Sequence, residues 1–288
     1  MKDSNSFKRI FIYISNALID AFFPRKCLLC NSFFKLEISD ETLGDGTPYS
    51  LIVSDDCDAG RFGNALAPYI CVDCLDDFRP IESPKCSKCD LMFESREGDD
   101  HVCGRCLKTS WNFRTARSFG AYETVLRKAI HHYKYKDKIQ LARPFGQLLF
   151  YTFTHNWAQD DIDLIIPLPL HGKRMRKRGF NQSYLPLKKW PGLAALVDFK
   201  LSAEQIDRSI LFRTRSTKPQ MGLDRKQRKA NIKNAFKVKN ISKIKGKRIL
   251  LVDDVFTTGS TADECARILI RNGALHVDVL TLGRTMFS

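Results

Sequence analysis

The chain has 288 residues, of which 43% are hydrophobic and 27% charged, with a formal net charge of +15. That composition is ordinary for a soluble globular protein of one large domain or two modest ones, and argues against a fibrous or disordered chain. The charge is uneven: 16 acidic and 5 basic residues fall between Glu37 and Asp100, leaving 16 acids against 42 bases elsewhere. A basic surplus of this size favours polyanionic partners, either nucleic acid or a phosphorylated small molecule.

The first element is apolar. Ile10–Phe23 reads IFIYISNALIDAFF, shorter than the roughly 18–20 residues a membrane span requires. Asp20 interrupts it, and no small-residue cleavage site follows it. Phe7, Ile10, Phe11, Ile14, Leu18 and Phe22 share one helical face, so an amphipathic helix is expected over 1–24, ended by Pro24. It docks either on the protein's own core or on a membrane surface. The expected location is cytoplasmic, with membrane association left open and no transmembrane segment.

Residues 25–110 are short on regular periodicity and hold four C-x-x-C pairs: Cys27/Cys30, Cys71/Cys74, Cys86/Cys89 and Cys103/Cys106. Ten cysteines in all might suggest a disulfide framework, but this spacing does not. Each knuckle bends so that both sulfurs reach one metal, and two knuckles complete a tetrahedron, so eight thiols suffice for two structural Zn²⁺ sites. Spacing leaves sequential and interleaved pairing both open. A redox reading is weaker, because none of the pairs sits at a strand-to-helix junction. Full four-thiolate shells leave no position for catalysis, and a segment this polar would draw its folding free energy from the metal. His101 reads as an uninvolved surface histidine, Cys57 lacks a partner at ligand spacing, and Cys265 reads as a core residue on the inward face of a helix. Asn31–Ile70 is a long acidic insert, flexible or locally folded.

After a boundary near Ser110–Phe113 the texture changes, and 111–288 alternates strands with helices. Strands are expected at Ser118–Tyr122, Asp163–Leu168, Ser209–Phe212, Lys247–Val252 and Leu275–Leu282. Helices are expected at Glu123–Tyr135, Leu141–His155 and Ser260–Asn272, and in pieces over Asn181–Leu196, which Pro186 and Pro191 interrupt. Such alternation indicates an α/β fold, a parallel sheet with helices on both faces.

Two basic segments interrupt this pattern. Ile165–Gln182 carries Lys173, Arg174, Arg176, Lys177 and Arg178, and Arg213–Phe236 opens with Arg213 and Arg215. Either is suited to pyrophosphate or another polyanion, and either alone would pass for a solvated face. The most specific segment is Ile249–Thr261, ILLVDDVFTTGST. A buried strand ends in Asp253 and Asp254, and a helix begins within the turn that follows. Helix N-termini present free N–H groups and a positive dipole end to a phosphate. Gly259 lets the backbone curl close to the anion, and Thr257, Thr258, Ser260 and Thr261 add hydroxyl donors. Two adjacent carboxylates suit the vicinal diol of a ribose.

This segment resembles the 5-phosphoribosyl-1-pyrophosphate (PRPP) signature of type I phosphoribosyltransferases. The resemblance implies that Asp253 and Asp254 meet the ribose hydroxyls, that Thr257–Thr261 wrap the 5-phosphate, that Mg²⁺ accompanies PRPP, and that the acid pair stabilises an oxocarbenium-like transition state. The order of Tyr133-Lys134-Tyr135, PLPLH…RGFNQ, RTRSTKPQ…NAF and VDDVFTTG is similar to that in the ComF (competence protein F, ComFC) family, in which a cysteine-knuckle zinc module precedes a phosphoribosyltransferase-like domain. The long insert Asn31–Ile70 is the main departure from that pattern. The family resemblance implies a part in natural transformation, handling single-stranded DNA on the cytoplasmic side. Tyr133, Tyr135, Phe180 and Trp190 are candidate stacking faces, with Trp190 better suited to the core. The alternatives are an active phosphoribosyltransferase and a zinc-dependent adaptor for a competence helicase or channel. Glutamine-dependent amidophosphoribosyl transfer does not fit, because the cysteines are committed to knuckles.

Overall fold

The computed structural model describes residues 24–35, 57–95, 97–215 and 225–286. Residues 1–23 of the expected N-terminal helix, 36–56 of the acidic insert and 216–224 of the second basic segment lie outside the described residues. Arg25–Lys26 (β1) pairs antiparallel with Phe33–Phe34 (β2). Helices Asp58–Leu66 (α1), Val72–Leu75 (α2) and Gly104–Leu107 (α3) complete the cysteine-bearing part. Beyond it follow Ala116–Ala121 (β3), Thr124–Tyr135 (α4), Ala142–Asn156 (α5), Leu164–Pro167 (β4), Gly172–Arg178 (α6), Trp190–Leu196 (α7), Leu211–Arg213 (β5), Arg225–Ile232 (α8), Phe236–Val238 (β6), Arg248–Phe256 (β7), Ser260–Arg271 (α9) and His276–Arg284 (β8).

β3, β8, β7 and β4 form, in that order, a parallel sheet. Strand alternation sends successive side chains to opposite faces, so a strand apolar at every position must be covered twice. Leu250 and Val252 of β7, with Leu280 and Leu282 of β8, face a cluster formed with α4, α5 and α7. Ile249 and Leu251, with Val277 and Val279, face α9 and the β5–β6 pair. Each such side chain, fully buried, contributes about 1.5–3 kcal/mol. The expected α/β architecture is therefore present. β7 runs on through Phe256 instead of stopping at Val252, because Asp253, Val255 and Phe256 stay in register with Thr281, Gly283 and Arg284 of β8.

α4 buries Val125, Leu126, Ala129, Ile130 and Tyr133, the spacing of one helical stripe. α5 is held tightly over Leu185–Lys189, a 3₁₀ turn. A Cβ on Gly146 would lie 2.3 Å from the Pro186 carbonyl oxygen, and Trp190 Nε1 donates to the Gly146 carbonyl at 2.9 Å. Trp190 is wholly buried, as expected. Cys265 is likewise buried on the inner face of α9.

The cysteine-bearing part has little core of its own and borrows one. Phe62 of α1, inside the insert, stacks on Phe78 at 4.1 Å, and Phe78 lies 5.4 Å from Phe119 of β3. Gly120 makes room for this, since a Cβ there would lie 2.6 Å from the Phe78 ring. Cys27 and Cys71 join the apolar cluster on one sheet face, whereas Cys86, Cys89, Cys103 and Cys106 join that on the other. The hydrophobic core thus runs unbroken across the boundary read near Ser110–Phe113.

The joint itself is held by Asp278, fully buried in β8. Its carboxylate accepts from Arg114 at 2.6 and 3.1 Å, from the Thr115 backbone and hydroxyl at 3.1 and 3.0 Å, and from Trp157 Nε1 at 3.0 Å. Hydrogen bonds to a buried charge are the strong kind, and their loss strands the Trp157 and Thr115 donors. Asp278→Ala should lower stability by on the order of 3 kcal/mol, read as the shift in chemical-denaturation midpoint. Asp278→Asn should lower it less, because an amide oxygen still accepts from Trp157.

Candidate functional site

The eight knuckle cysteines gather as two sets, Cys27/Cys30/Cys71/Cys74 and Cys86/Cys89/Cys103/Cys106. The pairing is therefore sequential, and the insert between Cys30 and Cys71 does not prevent the first set from closing. Within each set the sulfurs all lie within 4.8 Å of one another, with Cys30–Cys71 at 3.6 Å and Cys89–Cys103 at 4.0 Å. Thiolates ~2.3 Å from a tetrahedral metal would sit about 3.8 Å apart, so both sets fit one ion each. Thiols this close share protons unevenly: the hydrogen bond from Cys89 pulls Cys86 down to about 4, while the Cys89 thiol is pushed up. A divalent cation removes that conflict by taking all four as thiolates. The second set is wholly buried, but in the first Cys30 is exposed. His101 is exposed and stacked on Phe93 at 4.0 Å, apart from either set, and Cys57 is exposed.

At the carboxyl end of β7 the backbone turns at Thr257–Gly259 into α9. Gly259 has φ +75°, and a Cβ on it would lie 2.5 Å from the Phe256 ring, so both conformation and space require glycine. The Thr258 and Ser260 hydroxyls lie 2.9 Å apart, and Thr261 follows in the first helical turn. Ligands of open α/β sheets bind outside the carboxyl ends of the strands, where this turn lies.

Because β7 continues through the acid pair, the two carboxyls take different partners. Asp254 meets Lys134 of α4, whose Nζ donates to Oδ1 at 2.6 Å. Its Oδ2 is buried without a hydrogen-bond partner. Asp253 accepts from the Ser183 hydroxyl at 2.9 Å; the Ser183 backbone donates to Asn181 Oδ1, and Asn181 Nδ2 donates to the Leu168 carbonyl. Burial, then the neighbouring Asp254 charge, pushes the Asp253 carboxyl up to about 7. Burial draws the Lys134 ammonium down, but the attraction of Asp254 outweighs it and holds the group above its ordinary value. Two carboxyls, one ammonium and one unmatched buried oxygen make a site with capacity for further hydroxyl donors or a cation.

The basic residues divide by role. α6 is a short helix capped by His171 Nδ1, which accepts from the Lys173 backbone, and closed by Gly179 at φ +77°. Lys173, Arg176 and Lys177 are exposed. Arg178 folds back, donating to Gln182 Oε1 at 2.7 Å and lying 5.0 Å over the Tyr135 ring. Arg213 sits over the Phe236 ring, and burial followed by the charge of Arg174 lowers it to about 10, with Asp253 opposing. Arg213 thus feels the charges of both Arg174 and Asp253. Arg215 instead donates to the Asn231 and Lys233 carbonyls at the end of α8. Of the aromatics, Tyr133 and Trp190 are core residues, Phe180 packs 5.2 Å from Tyr133, and Tyr135 is 59% exposed.

Lys134 and Ser183 belong to the site without having been assigned a role from the sequence. Their only signal was position, Lys134 inside the YKY stretch and Ser183 directly after RGFNQ. A further omission is Arg105, between Cys103 and Cys106, whose guanidinium donates to the Thr258 carbonyl of the turn.

No protein-family model matches the chain. Among curated proteins, DNA utilization protein YhgH of Escherichia coli K12 is 35% identical over 190 residues, covering 64% of this chain and 78% of that protein. Competence protein F of Haemophilus influenzae is 28% identical over 231 residues, 74% of this chain and 96% of the relative. Competence protein ComFC of Bacillus subtilis is 26% identical over 270 residues, 90% and 95% respectively. With the two four-cysteine sets, the parallel sheet and these relatives together, the chain belongs to the ComF (competence protein F) family.

Proposed function

We propose that this protein handles DNA during natural transformation and carries a pocket for PRPP or ribose 5-phosphate beside a single-stranded DNA surface. The observations that carry the pocket are the turn Thr257–Thr261 at the start of α9 and, just before it in β7, the buried, unpartnered Oδ2 of Asp254. In this reading the turn and the start of α9 take the 5-phosphate, while Asp253 and Asp254 accept the ribose hydroxyls. Arg174 and Arg213 face the pyrophosphate side. Mg²⁺, arriving with PRPP, would neutralise pyrophosphate charge, with Asp254 as the carboxylate offering a free oxygen.

DNA handling is supported by the names of the relatives, which are competence and DNA utilization proteins. The exposed Lys173, Arg176 and Lys177, together with exposed Tyr135 flanked by Arg178, supply cations for phosphates and one face for base stacking. The metals in the two cysteine sets are Zn²⁺, held structurally. Among the described residues no helix is long and apolar enough to cross a membrane; a cytoplasmic location belongs to this proposal through the DNA-handling role of the relatives.

Ligand binding should track the Asp253 proton. Hydroxyl recognition needs the carboxylate, so affinity for ribose 5-phosphate should rise with pH up to about 7 and level off above it. Titration calorimetry on Asp253→Asn should leave only the gentler dependence due to the ligand's own phosphate. Linkage has the opposite sign for stability: the protonated acid favours the folded state, so stability should fall as pH rises from about 4 through 7. Undiminished affinity in Asp254→Ala would remove the pocket from the reading.

Single-stranded DNA affinity should fall steeply with salt. Replacing Lys173, Arg176 and Lys177 together by Gln should flatten the log–log slope by about two units, at ~0.7 per phosphate lost. Tyr135→Ala should cost ~1–3 kcal/mol at any salt concentration. Salt-independent binding would exclude a phosphate-contact surface.

Metal analysis should return two zinc ions per chain, and Cys86→Ser should retain one. A strong chelator acting on the wild type should abolish the cooperative unfolding transition, because metal binding and folding of the module are coupled.

A further inference from the structure

We infer that the second cysteine set is the positioning element of the phosphate turn, acting through Arg105 and Arg284. This rests on the assignment of Thr257–Thr261 as a phosphate site. A trans peptide points its C=O and N–H in opposite directions, so a turn that offers N–H groups to an anion must satisfy its carbonyls on the far side. Here two successive carbonyls, those of Thr257 and Thr258, are taken by two guanidinium groups, while the Phe256 carbonyl accepts chiefly from the Thr285 backbone at 3.0 Å. Arg284 Nη1 donates to the Phe256 carbonyl at 3.4 Å and to the Thr257 carbonyl at 3.1 Å, and Arg105 donates to the Thr258 carbonyl. The N–H groups of Thr258 and Gly259 share peptide planes with the last two and therefore face the other way. A cation on the carbonyl polarises the amide, which makes its N–H a better donor to a phosphate.

Both arginines are anchored in the second cysteine set. Arg284, fully buried at the end of β8, donates from Nε to the Cys89 carbonyl at 2.9 Å and lies 3.7 Å from Cys89 Sγ. Its plane covers the Phe256 ring, the ring that closes under Gly259. Arg105 lies inside the Cys103–Cys106 knuckle, with its guanidinium 5.2 Å from the Trp111 ring. One residue on, the Asn112 backbone and side chain both donate to Asp263 Oδ1 in the first turn of α9, at 2.7 and 3.0 Å. Four thiolates on a divalent metal carry a net charge of about −2, which a guanidinium at Cys89 partly balances. The knuckle backbone, shaped by its metal, thus sets where both guanidinium groups stand. The first set is packed on the opposite face of the sheet.

The test uses the full zinc-loaded chain with ribose 5-phosphate as probe. Arg105→Ala should keep both metals, weaken binding about tenfold, as for one charge-assisted hydrogen bond, and speed hydrogen exchange at the Thr258 and Gly259 amides. Arg105→Lys, which keeps a cationic donor, should restore affinity to within about threefold. Arg79→Ala serves as control: it removes an ion pair to Glu123 that also joins the cysteine-bearing part to the α/β domain, and should leave both readouts as in the wild type. Equal affinity and exchange in Arg105→Ala and wild type would overturn the inference while leaving the phosphate site standing. Equal losses in Arg105→Ala and Arg79→Ala would also overturn it, because the effect would then be general loosening. A wild type that does not bind ribose 5-phosphate would instead remove the site reading on which the inference rests.

Discussion

β7 is paired on both sides by parallel strands, β4 and β8, and it is the constraint to which the other parts of the site are referred. Pairing with β8 continues to Phe256↔Arg284, so the strand cannot bend until the ladder ends. The turn therefore begins at Thr257, and α9 starts at Ser260 over the same sheet face that buries Cys265 and Leu269. Gly259 makes this abrupt change of direction feasible beside the Phe256 ring. The proposed phosphate site depends on where the ladder stops as much as on which hydroxyls are present.

The same continuity changes the electrostatics of the acid pair. Adjacent residues of a strand leave on opposite faces, so Asp253 and Asp254 belong to different surroundings although they are neighbours in sequence. Asp254 has a direct cation in Lys134, while Asp253 has a hydroxyl partner and no ammonium in contact. Burial and like charge therefore fall mainly on Asp253, whose proton is held to near neutrality. Arg213 is lowered by burial and by the Arg174 charge, so Asp253, Lys134 and Arg213 each feel a charged neighbour.

The cysteine-bearing part is integral to this arrangement. Phe62 and Phe78 extend the core on one face, and the buried second cysteine set extends it on the other. Its Arg105 reaches the Thr258 carbonyl of the turn, and Arg284 of β8 links the Cys89 carbonyl to that of Thr257. The cysteine-bearing part thus shares its core with the α/β domain on both sheet faces, and a metal in each set would add to its stability.

Much of this was legible in the sequence, for definite reasons. Unbroken apolar runs at Lys247–Val252 and Leu275–Leu282 fit only strands buried on both faces, and the stripe on Glu123–Tyr135 fits only a helix, so the architecture followed from periodicity. C-x-x-C spacing is local geometry, and it announced the eight cysteines that gather in two sets. What no local rule contains is which distant groups meet. Sequential pairing of the knuckles, Lys134 on Asp254 across 120 residues and Arg105 on Thr258 across 153 are outcomes of chain packing. Basic runs likewise read as continuous surfaces, yet their members part company once folded: Arg178 stacks on Tyr135, Arg215 closes α8 and Arg213 lies over Phe236. The elements and the chemical kinds of group near the turn depend on neighbours along the chain, so they could be read in order from the residues. Partners and protonation came only with folding, because charge and hydrogen bonding act through space.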